Sequence, residues 1–176
     1  MDLKLKKFFK TQFLKNKGSF VDLPVLDGVK ISSSSANLYN KKTRNDLCLF
    51  YFENGASHAA VFTKSKVVAE CIKWNKQQKT KKVKGLFINT KNANALTGKQ
   101  GFNSLKTIRK EVSKKLNIKE RELYFASTGV IGEKFPITKI RKALPKLLKK
   151  NKISCAKSWL QAAKAIMTTD TIPKLS

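Results

Sequence analysis

Histidine is almost missing from the 176 residues: His58 is the single example. Cysteine is sparse and odd in number, with Cys48, Cys71 and Cys155 far apart and no C-x-x-C pair. A zinc site needs several such ligands close together, so no metal site is expected. Acids are few, 11 Asp+Glu, and they are scattered, which leaves no pair of carboxylates set for acid–base work. No apolar run approaches the ~20 residues of a membrane span. The N-terminus, "MDLKLKKFFKTQFLKNKG", is basic without the continuous apolar stretch of a secretory signal, and it carries Asp2 but no Arg, unlike an organelle transit peptide. A cytoplasmic chain with a basic N-terminal arm over 1–27 is expected. No repeat, low-complexity linker or Pro/Gly-rich hinge divides the remainder, so 28–176 is read as one domain.

What the chain has in excess is positive charge: 38 Lys+Arg give a formal net charge of +27. Such a field attracts polyanions, and a nucleic-acid- or ribosome-associated binding module is the alternative reading. Only four of these cations are Arg (Arg44, Arg109, Arg121, Arg141), the residue favoured for bidentate reading of phosphate and guanine. The lysines are spread along the chain, crowding in polar stretches such as "NKQQKTKKVKG", without interleaved aromatics that would make a stacking platform. A solvated lysine-rich surface with no specific nucleic-acid partner is the preferred reading. Hydrophobic residues at 41% fit a globular protein with a core.

Short β-rich runs and helical periodicities are mixed. "GVKISSSSAN" (28–37) reads as a strand. "DLCLFYFE" and "HAAVFT" read as two strands of a hairpin turning at Asn54–Gly55. Cys48, within the first of these, reads as a small buried apolar residue. Residues 65–78 suit a helix or a strand equally. "GLFINT" (85–90) and "ELYFAS" (122–127) are further strands. Phe102, Leu105, Ile108, Val112 and Leu116 share one helical face, with Asn117 as a natural stop. "ITKIRKALPKLLKKNK" is a helix with Pro145 as a kink or break, and "AKSWLQAAKAI" is a last helix. The class expected is mixed α/β, layered.

Two loops follow one plan: apolar strand, small polar turn, helix. They are "INTKNANALTGKQG" and "FASTGVIGE". Turns and helix N-termini of this kind point free N–H groups outward and favour anions, including the oxyanion of acyl transfer. At the second, Thr128 offers a hydroxyl and an amide, and Gly129 brings an amide close without a Cβ. Ser, Thr, Asn and Gly are also what any turn uses, and local composition alone favours the plain turn. "AIMTTDTIPKLS" is a third polar cluster, open to the same two readings. His58, ahead of "AAVF", reads as a partnered structural histidine. Neither loop is a P-loop or a G-x-G-x-x-G turn.

In their order and spacing these segments are more specific than apart. "ANLYNKKTRNDLCLFYFENGASHAAVFT", "FINTKNANALTGKQGF", "STGVIGEKFPITKI" and "AIMTTDTIPK" resemble the N-terminal half of the ornithine acetyltransferase family, the bifunctional glutamate N-acetyltransferase and amino-acid acetyltransferase of arginine biosynthesis. The resemblance runs from about Gly28 to Lys174.

It implies a layered α/β/β/α sandwich, of which this chain supplies the N-terminal half. It implies transfer of an acetyl group from N-acetylornithine to glutamate through an acetyl-threonine enzyme. The family cuts itself into two chains, alpha and beta, and the nucleophile is the threonine exposed at the start of the second. The oxyanion-stabilising Thr and Gly match Thr128 and Gly129, and the substrate-contacting Thr matches Thr168. No cofactor is implied; acetyl-CoA as an additional acetyl donor is left open. The partners implied are the small-molecule substrates and the beta chain, in an oligomer of alpha/beta pairs. Two departures stand out: Thr90-Lys91 where the family often has Ser-Gly, and Leu96 where a small residue or Cys is common. The self-cleavage segment, with Ala-Thr-Met-Leu, has no counterpart in the 176 residues, so the chain is expected to be truncated before that site and inactive alone.

Overall fold

The computed structural model describes residues 25–40, 44–149 and 152–174. Of the expected basic arm over 1–27, only the last three residues fall within this range. Strands form from short runs rich in β-branched and aromatic residues, and burial alternates residue by residue along the one at 82–89. They are β1 (Val29–Ser34), β2 (Leu47–Ser57), β3 (Lys82–Asn89), β4 (Leu123–Ser127) and the short β5 (Lys152–Ile153). Helices α1 (Glu70–Gln77), α2 (Gly98–Leu116), α3 (Ile137–Lys149) and α4 (Ala156–Ile166) complete the order β1-β2-α1-β3-α2-β4-α3-β5-α4. The strands make one sheet in the order β4-β3-β2-β1-β5. Its pairs are antiparallel except β3–β4, which is parallel and needs α2 as its crossover.

The period-two pattern assigns the sheet's faces. Leu47 and Leu49 of β2, Phe87 of β3, and Leu123 and Phe125 of β4 join the main core with Leu105, Ile108 and Val112 of α2 and Ile140, Leu144 and Leu147 of α3. The alternate residues Ile31, Cys48, Phe50 and Ile88 face the other way and meet Trp159, Ala162 and Ala165 of α4. Small alanines let α4 lie close to the sheet, and Trp159 packs its ring against Phe50 at 5.7 Å. The mixed α/β class therefore holds. Of an α/β/β/α sandwich, the described residues build one helical layer and one sheet, with α4 on the sheet's second face.

Helix limits follow local chemistry. Asn117 closes α2 in the left-handed conformation at φ 54°, as its place after Leu116 suggested. Pro145 lies inside α3 and does not end it; it is on the exposed side, where the carbonyl it leaves unpaired can meet water. The ambiguous stretch 65–78 resolves as helix α1 from Glu70.

The expected hairpin does not form. β2 runs straight through Asn54–Gly55, because β3 pairs with both Tyr51 and Ala56 and the extra residues are absorbed in an irregularity between them. Gly55 at φ +69° supplies the special conformation there, and "HAAVFT" lies outside any strand with Val61 fully exposed.

β4 is an edge strand, and its outer margin is closed by side chains. The Asn75 carboxamide donates to the Phe125 carbonyl at 2.8 Å and accepts the Phe125 N–H at 3.0 Å, as a neighbouring strand would. The Trp74 indole N–H donates to the Leu123 carbonyl at 2.8 Å. This removes the free ladder that makes an edge sticky.

Candidate active site

β3 and β4 are parallel neighbours, so the loops that follow them leave from the same end of the sheet. Residues 90–97 lead into α2, and residues 128–136 lead into α3. The loops are bonded to each other along their length. The Val130 N–H donates to the Lys91 carbonyl and the Ala93 N–H to the Val130 carbonyl, both at 2.9 Å, and the Gly132 N–H reaches the Ala95 carbonyl at 2.9 Å. The buried Asn92 side chain donates to the Glu133 carbonyl at 3.0 Å and accepts the Asn94 N–H at 2.8 Å. Asn94, fully buried, accepts the Thr97 hydroxyl at 2.7 Å, and its carbonyl takes the Glu70 N–H at 2.8 Å.

Close approach explains the glycine. Gly129 has φ +137°, and a Cβ there would stand 2.6 Å from the Asn92 nitrogen and closer still to the Lys91 carbonyl group. Lys91 itself adopts φ +72° and Leu96 φ +56°. The left-handed turn that glycine would favour at position 91 is kept, with a lysine bearing the strain.

The two expected oxyanion donors differ in their freedom. The Thr128 N–H continues the ladder and donates to the Asn89 carbonyl at 3.0 Å, so that amide is not available to a ligand. This corrects the expectation that Thr128 offers both groups. Its hydroxyl, and the Gly129 N–H that follows, have no hydrogen-bond partner among the described residues. The pair left to face a ligand is one side-chain hydroxyl and one main-chain N–H.

Sequence reasoning missed the residues behind this corner. Asn89 is buried at the end of β3. Its Oδ1 accepts the Ser127 hydroxyl at 2.7 Å, and its Nδ2 donates to the Asn92 carbonyl at 2.9 Å. The Cys71 thiol is buried in α1, and burial pushes its ionisation upward, against the pull of nearby Ser127. Asp46 is also buried: its two oxygens accept the Ala36 N–H at 2.6 Å and the Leu38 N–H at 2.7 Å, and its carbonyl accepts the Thr90 N–H at 3.0 Å. Nothing in a string of polar loop letters announces these long-range partners.

Thr168 lies just beyond α4 and is half-buried. The preceding Met167 carbonyl accepts a hydrogen bond from Arg44, whose guanidinium stacks on Tyr39 at 3.9 Å. Arg44 precedes β2, and Leu47 at the start of β2 pairs with Asn89, itself paired with Ser127. Thr168 is thereby brought to the same end of the sheet as Thr128 and Gly129, with no hydrogen bond joining them among the described residues. Asp170 of the same cluster pairs with Lys174 at 2.7 Å, which holds its carboxyl below the usual range. His58 has the structural partner expected of it: its Nε2 lies 2.9 Å from the Tyr124 hydroxyl. Cys48 is fully buried in the apolar interior, which pushes its thiol up to about 12.

A protein-family model described as the ArgJ family matches residues 30–176. The chain belongs to the ArgJ family. It is 40% identical over 156 residues to the arginine biosynthesis bifunctional protein ArgJ of Bartonella henselae, covering 88% of this chain and 37% of that protein. The ArgJ of Bradyrhizobium diazoefficiens is 39% identical over the same coverage. The chain thus spans well under half the length of these curated ArgJ relatives. Among solved structures, the Bacillus halodurans ArgJ superposes with a TM-score of 0.73 at 30% identity, covering 83% of this chain and 75% of that one. The ornithine acetyltransferase of Mycobacterium tuberculosis, solved with ornithine, gives 0.75 at 28% identity, covering 86% and 80%.

Proposed function

We propose that this chain is the N-terminal part of a glutamate N-acetyltransferase of arginine biosynthesis, an acyltransferase that moves acetyl from N2-acetyl-L-ornithine to L-glutamate. The observation that carries this is the corner at the end of β4, where the Thr128 hydroxyl and the Gly129 N–H have no hydrogen-bond partner among the described residues, in a chain of the ArgJ family. In this reading a threonine at the start of a second chain attacks the acetyl carbonyl. The carbonyl oxygen gains negative charge, and the Thr128 hydroxyl and Gly129 N–H donate to it. The nucleophile's own α-amine takes the hydroxyl proton and returns it to the departing ornithine amine. The glutamate amine then attacks the acetyl-threonine over the same two donors. Thr168, at the same end of the sheet, contacts the substrate.

The 176-residue chain contains no Ala-Thr-Met-Leu segment. In this reading the nucleophile comes from a second chain, and these 176 residues act when assembled with it. The test is acetyl transfer from N-acetylornithine to glutamate by the chain alone and by the chain assembled with the second chain of an ArgJ relative. Transfer is expected only from the assembly. Thr128→Ala should lower its kcat by ~10²–10³-fold, and Thr128→Ser, which keeps the hydroxyl, should restore most of it. Activity of the chain alone, or an undiminished Thr128→Ala assembly, refutes the proposal.

A further inference from the structure

Gly129 lies between two anchors. On its C-terminal side the Val130–Lys91 and Ala93–Val130 bonds hold the chain. On its N-terminal side the hold is centred on one residue of the neighbouring strand, Asn89. The Asn89 main-chain carbonyl takes the Thr128 N–H at 3.0 Å. Its side chain accepts the Ser127 hydroxyl at 2.7 Å and donates to the Asn92 carbonyl at 2.9 Å. It is 1% exposed, so its own carboxamide is shielded from solvent.

A carboxamide is the group this place requires. One oxygen must accept from Ser127 while the nitrogen donates to Asn92, in the other loop. An aspartate would keep the acceptor and turn a negative oxygen on a carbonyl. A leucine of similar volume would leave both partners unpaired.

We propose that Asn89 is a positioning residue for acyl transfer: by tying Ser127 to the 90–97 loop it fixes where the Thr128 hydroxyl and the Gly129 N–H stand. This rests on the function proposed above. A displacement of about 1 Å in such donors lowers the rate of the chemical step while leaving substrate binding through other groups in place.

The test uses the assembled two-chain enzyme with Asn89→Asp and Ser127→Ala. The second removes the same hydrogen bond from its other end, at a less buried position, and so reads the anchor even where the first variant does not fold. Both are expected to lower kcat by ~10-fold or more while leaving KM for N-acetylornithine within about twofold. Amide exchange at Thr128 should accelerate ~10-fold or more, with Val130 and Ala93 unchanged. A variant that only loosened the fold would speed exchange at all three. Unchanged Thr128 exchange in Ser127→Ala overturns the inference, and so does unchanged kcat in an enzyme that transfers acetyl. A wild-type assembly that transfers no acetyl refutes the proposed function instead, and the Thr128 exchange still decides whether Asn89 holds the corner.

Discussion

Gly129 is seated on the main chain of Lys91, in a space too small for one methyl group and at a backbone angle of φ +137°. Gly129→Ala is therefore expected to push the two loops apart. Overpacking of this kind costs about 1–3 kcal/mol. Urea unfolding of the 176-residue chain measures it as a lower midpoint at unchanged slope. An unaltered midpoint would mean that the loops do not meet as described.

Lys91 presents the opposite case. Its φ of +72° is a conformation that glycine adopts freely and lysine does not. Lys91→Gly should stabilise the fold by about 1 kcal/mol, the order of the left-handed penalty for a side-chain-bearing residue. Thermal unfolding of the two chains side by side reads the gain. A loss of stability would show that contacts of the lysine stem outweigh its backbone strain.

Asn75 stands in for a strand at the margin of β4. Asn75→Ala would leave the Phe125 N–H and carbonyl without their partners, at a cost of about 2–3 kcal/mol. It would also reopen a free edge, so association that rises with concentration should accompany the loss. Denaturant unfolding together with light scattering over a dilution series checks both. A variant as stable and as dispersed as the wild type would remove Asn75 from the role assigned to it.

Asp46 gives a pH signature. Burial lifts its carboxyl above the ordinary carboxylate range, against the pull of the Ala36 and Leu38 amides and the Arg44 charge. A group whose folded value is raised takes up its proton first in the folded state. Its contribution is complete below the unfolded value and is lost as pH rises through the folded value. Relative to Asp46→Asn, the wild type should gain stability as pH falls from about 7 to about 4, measured as the difference in urea midpoints. A difference moving the other way would place the folded value below the unfolded one.

Much of the fold is legible in the sequence, for a local reason. Leu105, Ile108 and Val112 recur at helical spacing because one face of α2 is buried, and Phe87 and Phe125 sit in short apolar runs because their strands are covered. The likeness of the two strand–turn–helix loops is legible too, and so is Asn117 as the end of α2. What the sequence conceals depends on distant partners. Asn54–Gly55 has the chemistry of a tight turn, yet β3 continues past it and the chain stays extended. β5 pairs only two residues with β1, too short to leave a pattern. At the candidate site, Thr128 and Gly129 are singled out only by the resemblance that the ordered motifs carry. That the Thr128 N–H is taken by Asn89, and that Asn89, Asn92 and Asp46 carry the scaffold, follows from which strands become neighbours.

The cross-bonding of the two loops also sets how this region can move. Segments 89–97 and 127–133 share a continuous series of hydrogen bonds rooted in adjacent parallel strands, so neither can swing out while the other stays. They behave as a fixed anvil. Any covering of this corner has to be done by a different piece of polypeptide closing over them.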